Sequence, residues 1–122
     1  MKTILVVDDS IFMRNIVKNI FSELKISSRY LEAGNGKMAL QLLQANPVDL
    51  VFLDWNMPEM DGLEFLRRIR AMDKYKDLPI VMVTSEAAKY DVVEALQTGA
   101  TDYIVKPINE KAFKSKVLEL QF

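Results

Sequence analysis

The sequence predicts a doubly wound α/β domain: five parallel strands, with helices on both faces of the sheet. Short apolar runs, rich in β-branched residues and bounded by turn residues, alternate with stretches whose apolar positions recur at helical spacing. Five such strand–helix pairs share 122 residues, roughly 24 per pair and near the minimum for a βα unit. Half of the residues are hydrophobic and 27% are charged, the balance of one compact globular domain and not of a disordered chain.

Ile4-Leu5-Val6-Val7 reads as a buried strand. Ile16, Val17, Ile20, Phe21 and Leu24 then share one helical face. Arg29 to Ala33 is a weaker strand, followed by Ala39, Leu42 and Leu43 at helical spacing. Leu50 to Leu53 is the third strand, and Leu63, Leu66 and Ile69 mark the third helix. Ile80 to Val83 is the fourth strand. Val92, Val93 and Leu96 give its helix, with Val93 expected in the core. Gly99 stands where a helix C′ residue belongs. Thr101 to Val105 completes the strands, and Phe113, Val117 and Leu120 the helices. Pro47 and Pro79 precede strands, and Pro58 and Pro107 follow them, where no ladder hydrogen bond is lost. The chain shows no linker, repeat or low-complexity stretch.

Two absences narrow the chemistry. Without Cys there are no disulfides, thiol nucleophiles or thiolate metal sites. Without His there is no imidazole ligand and no Ser-His-Asp scheme. A metal here must be a hard cation held by oxygens. Sixteen basic against 17 acidic residues give a net charge of -1, which argues against a dedicated nucleic-acid surface. The apolar runs are too short to span a membrane, and Met1-Lys2-Thr3 leads into the first strand without a signal-peptide layout. A cytoplasmic protein with no membrane or nucleic-acid partner is expected.

A doubly wound sheet places its ligand site outside the carboxyl ends of its strands. Asp8 and Asp9 follow the first strand, Asp54 the third and Lys106 the fifth, while Thr84 ends the fourth. Singly, each has an ordinary explanation: Asp9 or Ser10 as a helix cap, Asp54 as a turn acid, Thr84 as a strand residue, Lys106 as a solvated lysine. Together they bring three carboxylates and one lysine to a single sheet edge. The surplus of two negative charges is what one divalent cation balances, and Mg²⁺ relieves the repulsion that would otherwise raise a carboxylate pKa. Such a cation neutralises charge in phosphoryl transfer. Lys106 offers a second positive clamp and Thr84 a hydroxyl donor. A central Asp54 can be the nucleophile and become an acyl phosphate.

These residues, in this order, resemble the receiver domain of two-component response regulators. The stretches Asp54-Trp55-Asn56-Met57-Pro58, Met60-Asp61-Gly62-Leu63-Glu64, Met82-Val83-Thr84-Ser85-Glu86-Ala87 and Tyr103-Ile104-Val105-Lys106-Pro107 look closest to the stand-alone, CheY-type chemotaxis regulators. The resemblance runs from Ile4 to about Leu120. It implies a flavodoxin-like strand order, 2-1-3-4-5. It implies Asp54 as phosphoacceptor and Mg²⁺ bound by Asp9, Asp54 and the Asn56 carbonyl, with Asp8 acting through water. Lys106 would pair with Asp54 and then with phosphoryl oxygens. Thr84 and Tyr103 would be the switch pair. A cis Lys106–Pro107 bond is implied, against the base rate for trans.

A CheA-like histidine kinase would be the donor and a flagellar switch protein the target, with a phosphatase as a further partner and the chain monomeric. The alternative is a stand-alone receiver in a non-chemotaxis phosphorelay. The chain ends just after its fifth helix, so residues 1–122 are expected to be a single receiver domain that acts through protein contact and catalyses only its own phosphorylation and dephosphorylation. Asn56 and Glu86 flank the site and can orient or block an attacking water. Ala87, Lys89, Tyr90, Val105, Ile108 and Lys116 are expected at the output face. Ile108 stands where the family usually has an aromatic residue.

Three rival readings fail on the residues themselves. Gly34-Asn35-Gly36-Lys37-Met38-Ala39 fits a dinucleotide fingerprint, with Asp54 20 residues beyond Gly34. That reading accounts for none of Asp8, Asp9, Thr84 and Lys106, and a glycine turn opening the second helix is simpler. A haloacid-dehalogenase-type phosphatase needs an acid two residues after its nucleophile; here that residue is Asn56. A scaffold that is never phosphorylated would leave the acid cluster without a role.

Overall fold

A computed structural model describes residues 1–57, 60–84 and 89–120, with the side chains of residues 89–92 left aside. The apolar runs form β1 (Lys2–Val7), β2 (Ser28–Ala33), β3 (Leu50–Asp54), β4 (Ile80–Thr84) and β5 (Asp102–Val105). Between and after them lie α1 (Ile11–Glu23), α2 (Gly36–Ala45), α3 (Gly62–Arg70), α4 (Lys89–Thr98) and α5 (Glu110–Leu120). All neighbouring strands pair in parallel, in the order β2-β1-β3-β4-β5. This is the flavodoxin-like order that the sequence implies, with β3 at the centre.

Strand alternation sends successive side chains to opposite faces. Leu5, Val7, Val51, Leu53, Ile80 and Met82 pack beneath α2, α3 and α4. Ile4, Val6, Leu50, Phe52, Val81 and Val83 pack beneath α1 and α5. On the latter face Phe52 meets Phe21 edge-on at 5.4 Å between ring centroids and stacks on Phe113 at 5.0 Å. Such ring pairs add to the area they bury. The three inner strands, β1, β3 and β4, read as unbroken apolar runs because both their faces are covered.

Boundaries moved where polar residues join the ladder. β1 begins at Lys2 and β2 at Ser28. Thr101 stays outside β5, but its amide donates to the Ile80 carbonyl at 2.8 Å and its hydroxyl accepts from the Ile80 amide at 3.0 Å. Asp54 and Thr84 are the last residues of their strands, so the pleat itself aims them. A 3-10 turn at Asp73–Tyr75 lies ahead of β4, unannounced by any periodicity. Arg70 ties this region together, donating to the Tyr75 carbonyl at 2.6 Å and the Gly99 carbonyl at 2.7 Å.

The fourth helix corrects the expectation for Val93. Val93 is 50% exposed and Leu96 43%, while Ala95 turns inward. The small Ala95 takes the inner side, and Val93 and Leu96 face out. Val92, Lys89 and Tyr90 fall among the side chains left aside, and Pro58, Ser85, Glu86 and Ala87 lie outside the described residues. Gly99 ends α4 at φ +121°. The Ala100 amide reaches back to the Ala95 carbonyl and the Gly99 amide to that of Leu96, satisfying carbonyls that the helix end leaves open. Among the described residues, no helix is long and apolar enough to cross a membrane.

Candidate functional site

Each site residue is delivered by a strand end. Asp8 follows β1; its amide donates to the Ala33 carbonyl at 3.0 Å, and its Oδ1 accepts from the Ser10 amide at 2.9 Å. Ser10, not Asp9, caps α1, its hydroxyl accepting from the Met13 amide. Asp9 is left exposed at the rim. Asp54 closes the central strand at 4% exposure, and Thr84 closes β4 at 5%. Lys106 follows β5, with its amide donating to the Thr84 carbonyl at 2.7 Å. The Lys106–Pro107 bond is cis, as the resemblance implied.

These backbones bring the charges together. Lys106 Nζ donates to Asp54 Oδ1 at 3.1 Å and stands 3.6 Å from Asp8 Oδ2. Asp8, Asp9 and Asp54 each place a carboxylate oxygen within 4.8 Å of the others. Burial pushes the Asp54 carboxyl above its ordinary pKa; the charge on Asp8 adds to this and Lys106 opposes it. Burial likewise raises Asp8, against the Ser10 amide and Lys106. For Lys106 burial works against the charge, but Asp54 and Asp8 outweigh it and hold the ammonium above its usual value. The cluster therefore keeps a strained excess of negative charge that one lysine does not neutralise. Oxygen donors alone, closely spaced and short of positive charge, fit a hard divalent cation such as Mg²⁺.

The rest of the sequence-derived set is distributed around this core. Asn56 follows Trp55 on the loop after β3 and is exposed. Tyr103 lies on β5, half-buried. Glu86 belongs to the loop outside the described residues. The Gly34–Gly36 turn does what the simpler reading requires: Asn35 caps α2 by accepting from the Met38 amide at 2.8 Å. A Cβ on Gly36 would lie 2.9 Å from the Met60 carbonyl oxygen, so this turn's close approach is already filled by the protein's own chain.

Two contacts emerge only from the structure. Arg14, one turn into α1, donates from Nη1 to the Asp8 carbonyl at 2.5 Å while its Nε pairs with Glu32 at 3.1 Å. It braces the backbone that carries Asp8, and no spacing in the sequence announces the contact. Gly62 opens α3 against the acceptor strand, its amide donating to the Trp55 carbonyl at 2.9 Å. A Cβ there would overlap the Asp54 carbonyl oxygen. Gly62→Ala is therefore expected to lower the free energy of urea unfolding by about 1–3 kcal/mol, the usual cost of overpacking. A denaturation curve coincident with the wild type would show that α3 withdraws freely instead.

The chain is similar to known proteins. The chain is 47% identical over 115 residues to the chemotaxis protein CheY homolog of Campylobacter jejuni, covering 93% of this chain and 88% of that one. It is 44% identical to chemotaxis protein CheY1 of Helicobacter pylori, over 93% and 92% of the two chains. The solved structure of Vibrio cholerae chemotaxis protein CheY4 superposes with a TM-score of 0.88 at 32% identity, over 98% of both chains. The family model for the response regulator receiver domain matches residues 4–118, and this chain belongs to that family.

Proposed function

We propose that Asp54 accepts a phosphoryl group from a histidine kinase, and that its phosphorylation alters a protein-binding face to control chemotaxis through a flagellar switch protein. The observation that carries this is the Lys106 ammonium shared between Asp54 and Asp8 at the carboxyl edge of the sheet. A buried carboxylate paired with one lysine, beside two more acids that fit a divalent cation, is a nucleophile held ready.

In the transfer, an Asp54 carboxylate oxygen forms a bond to phosphorus as the bond from phosphorus to the donor imidazole nitrogen breaks. The imidazole leaves with its electron pair, and Asp54 becomes an acyl phosphate. Asp9, Asp54 and the Asn56 carbonyl, with Asp8 acting through water, would hold Mg²⁺, which would supply neutralising charge for the phosphoryl oxygens. Lys106 passes from the free carboxylate to a phosphoryl oxygen. The Thr84 hydroxyl, on the neighbouring strand, turns to donate to the same group, and Tyr103 moves in step. Water later attacks phosphorus, returning the carboxylate and releasing phosphate. The chain thus catalyses only its own gain and loss of the group.

With no residue expected to act as a strong base, hydrolysis depends on how water is admitted. Asn56→Ala and Glu86→Ala are each expected to change the autodephosphorylation rate by about tenfold, or ~1.4 kcal/mol in barrier, while phosphorylation persists. Decay rates equal to the wild type in both variants would remove this role.

The output face is expected where α4, β5 and α5 meet. A cleft of about 370 Å³ is lined there by Tyr103, Val105, Pro107, Ala112, Phe113 and Lys116 among others. Ile108 is half-buried and packs against the core beneath α5. Lysines beside small apolar groups suit an amphipathic, acidic segment. Since a ligand shifts an equilibrium only by its differential affinity, a flagellar switch peptide should bind more tightly with beryllofluoride and Mg²⁺ present. Calorimetric titration tests this. Equal affinity in both states, or amide shifts confined to α1 and α2, would sink the assignment.

A further inference from the structure

Side chains of β5 alternate. Ile104 is buried with Phe113 on the α5 face, and Tyr103 packs with the cluster on the opposite face. Yet Lys116, on α5, holds its ammonium 4.6 Å from the centroid of the Tyr103 ring. Since β5 is the outermost strand, the lysine reaches the ring by passing around the sheet edge. Asp102 anchors it: Asp102 Oδ1 accepts from Lys116 Nζ at 2.9 Å and from the Tyr103 amide at 2.8 Å. Both side chains are mostly shielded, at 25% and 30% exposure, so the pair is less screened than one in open solvent.

We propose that Asp102 and Lys116 form a strap that seats the Tyr103 ring and opposes its displacement. The amide bond to Asp102 survives ring rotation, but the contact between ammonium and ring face does not. Any move of the ring must therefore break it. Asp102 is a positioning residue: it never meets the phosphoryl group, but its charge fixes where Lys116 stands. This inference rests on the reading of Tyr103 as the ring that moves on phosphorylation. By linkage, whatever opposes the ring's move opposes binding of the group that drives it.

The test uses the full chain with 3-fluorotyrosine at position 103, followed by ¹⁹F NMR, and beryllofluoride affinity read from Trp55 fluorescence. In the wild type, beryllofluoride and Mg²⁺ should shift the ring resonance. Asp102→Asn and Lys116→Met should shift it toward that position without beryllofluoride and tighten beryllofluoride binding about threefold, the scale of one cation–π contact. Lys116→Arg, which keeps the charge, should behave as wild type. Unchanged resonance and affinity in both Asp102→Asn and Lys116→Met would overturn the strap. A wild-type ring that ignores beryllofluoride, while Trp55 reports binding, would overturn the reading of Tyr103 and the strap with it.

Discussion

Asp54→Asn is expected to abolish the gain of one phosphoryl mass that acetyl phosphate and Mg²⁺ give the wild-type chain, as read by intact-mass spectrometry. The amide has neither the charge nor the lone-pair reactivity of the carboxylate. The two neighbouring acids are poor substitutes. Asp8 Oδ1 is engaged by the Ser10 amide, and Asp9 stands exposed, without the close lysine contact that Asp54 has. EDTA should abolish labelling of the wild type as well. Label that survives both changes, or that maps to Thr84 or Ser85, would falsify the site.

Mg²⁺ at about a hundred times its dissociation constant should stabilise the folded chain by about 2.7 kcal/mol through linkage alone. For 122 residues the unfolding entropy converts this to a rise of about 10 °C in the thermal midpoint. Asp8→Asn should remove most of this response, and yet raise the midpoint of the metal-free protein. The reason lies in the sign of the pKa shifts. Asp8 and Asp54 are both raised on folding. Their contribution to stability is complete below the ordinary carboxylate value and is lost as pH rises through the raised one. At neutral pH the metal-free cluster is therefore a liability, and deleting one charge lightens it. Scanning calorimetry from acidic to neutral pH, with and without Mg²⁺, checks the sign. A metal-free Asp8→Asn that melts below the wild type throughout would show that the acid's hydrogen bond to Ser10 outweighs the repulsion.

The strands were legible because burial on both faces leaves only apolar, β-branched residues in β1, β3 and β4. The proposed site was legible because parallel topology sends every strand end to one edge, so Asp8, Asp54, Thr84 and Lys106 had to meet. Other features depend on distance in space that sequence spacing does not encode. Val93 and Leu96 share a helical period with core residues, but Ala95 decides which side faces in. Arg14 reaches back along α1 to a main-chain carbonyl, a contact indifferent to the identity of residue 8. Gly62 was visible in its Asp-Gly stretch, but its closeness to Asp54 was not. Asp102 and Lys116 lie 14 residues apart, and only the return of α5 onto β5 brings them together.

The strand order also fixes when the chain can become safe during synthesis. β1 lies between β2 and β3, and pairs with β3 from Ile4↔Leu50 to Val7↔Leu53. Ile4, Leu5, Val6 and Val7 are at most 1% exposed in the finished fold. Nothing made in the first few dozen residues can complete that cover. At roughly 5–20 residues per second of translation, the apolar run from Ile4 to Val7 emerges first and waits several seconds for its second neighbour. A short, β-branched, uncharged segment left open for that time is what chaperones bind and what nucleates aggregation. Until residue 54 leaves the ribosome, β1 is the nascent chain's most vulnerable point.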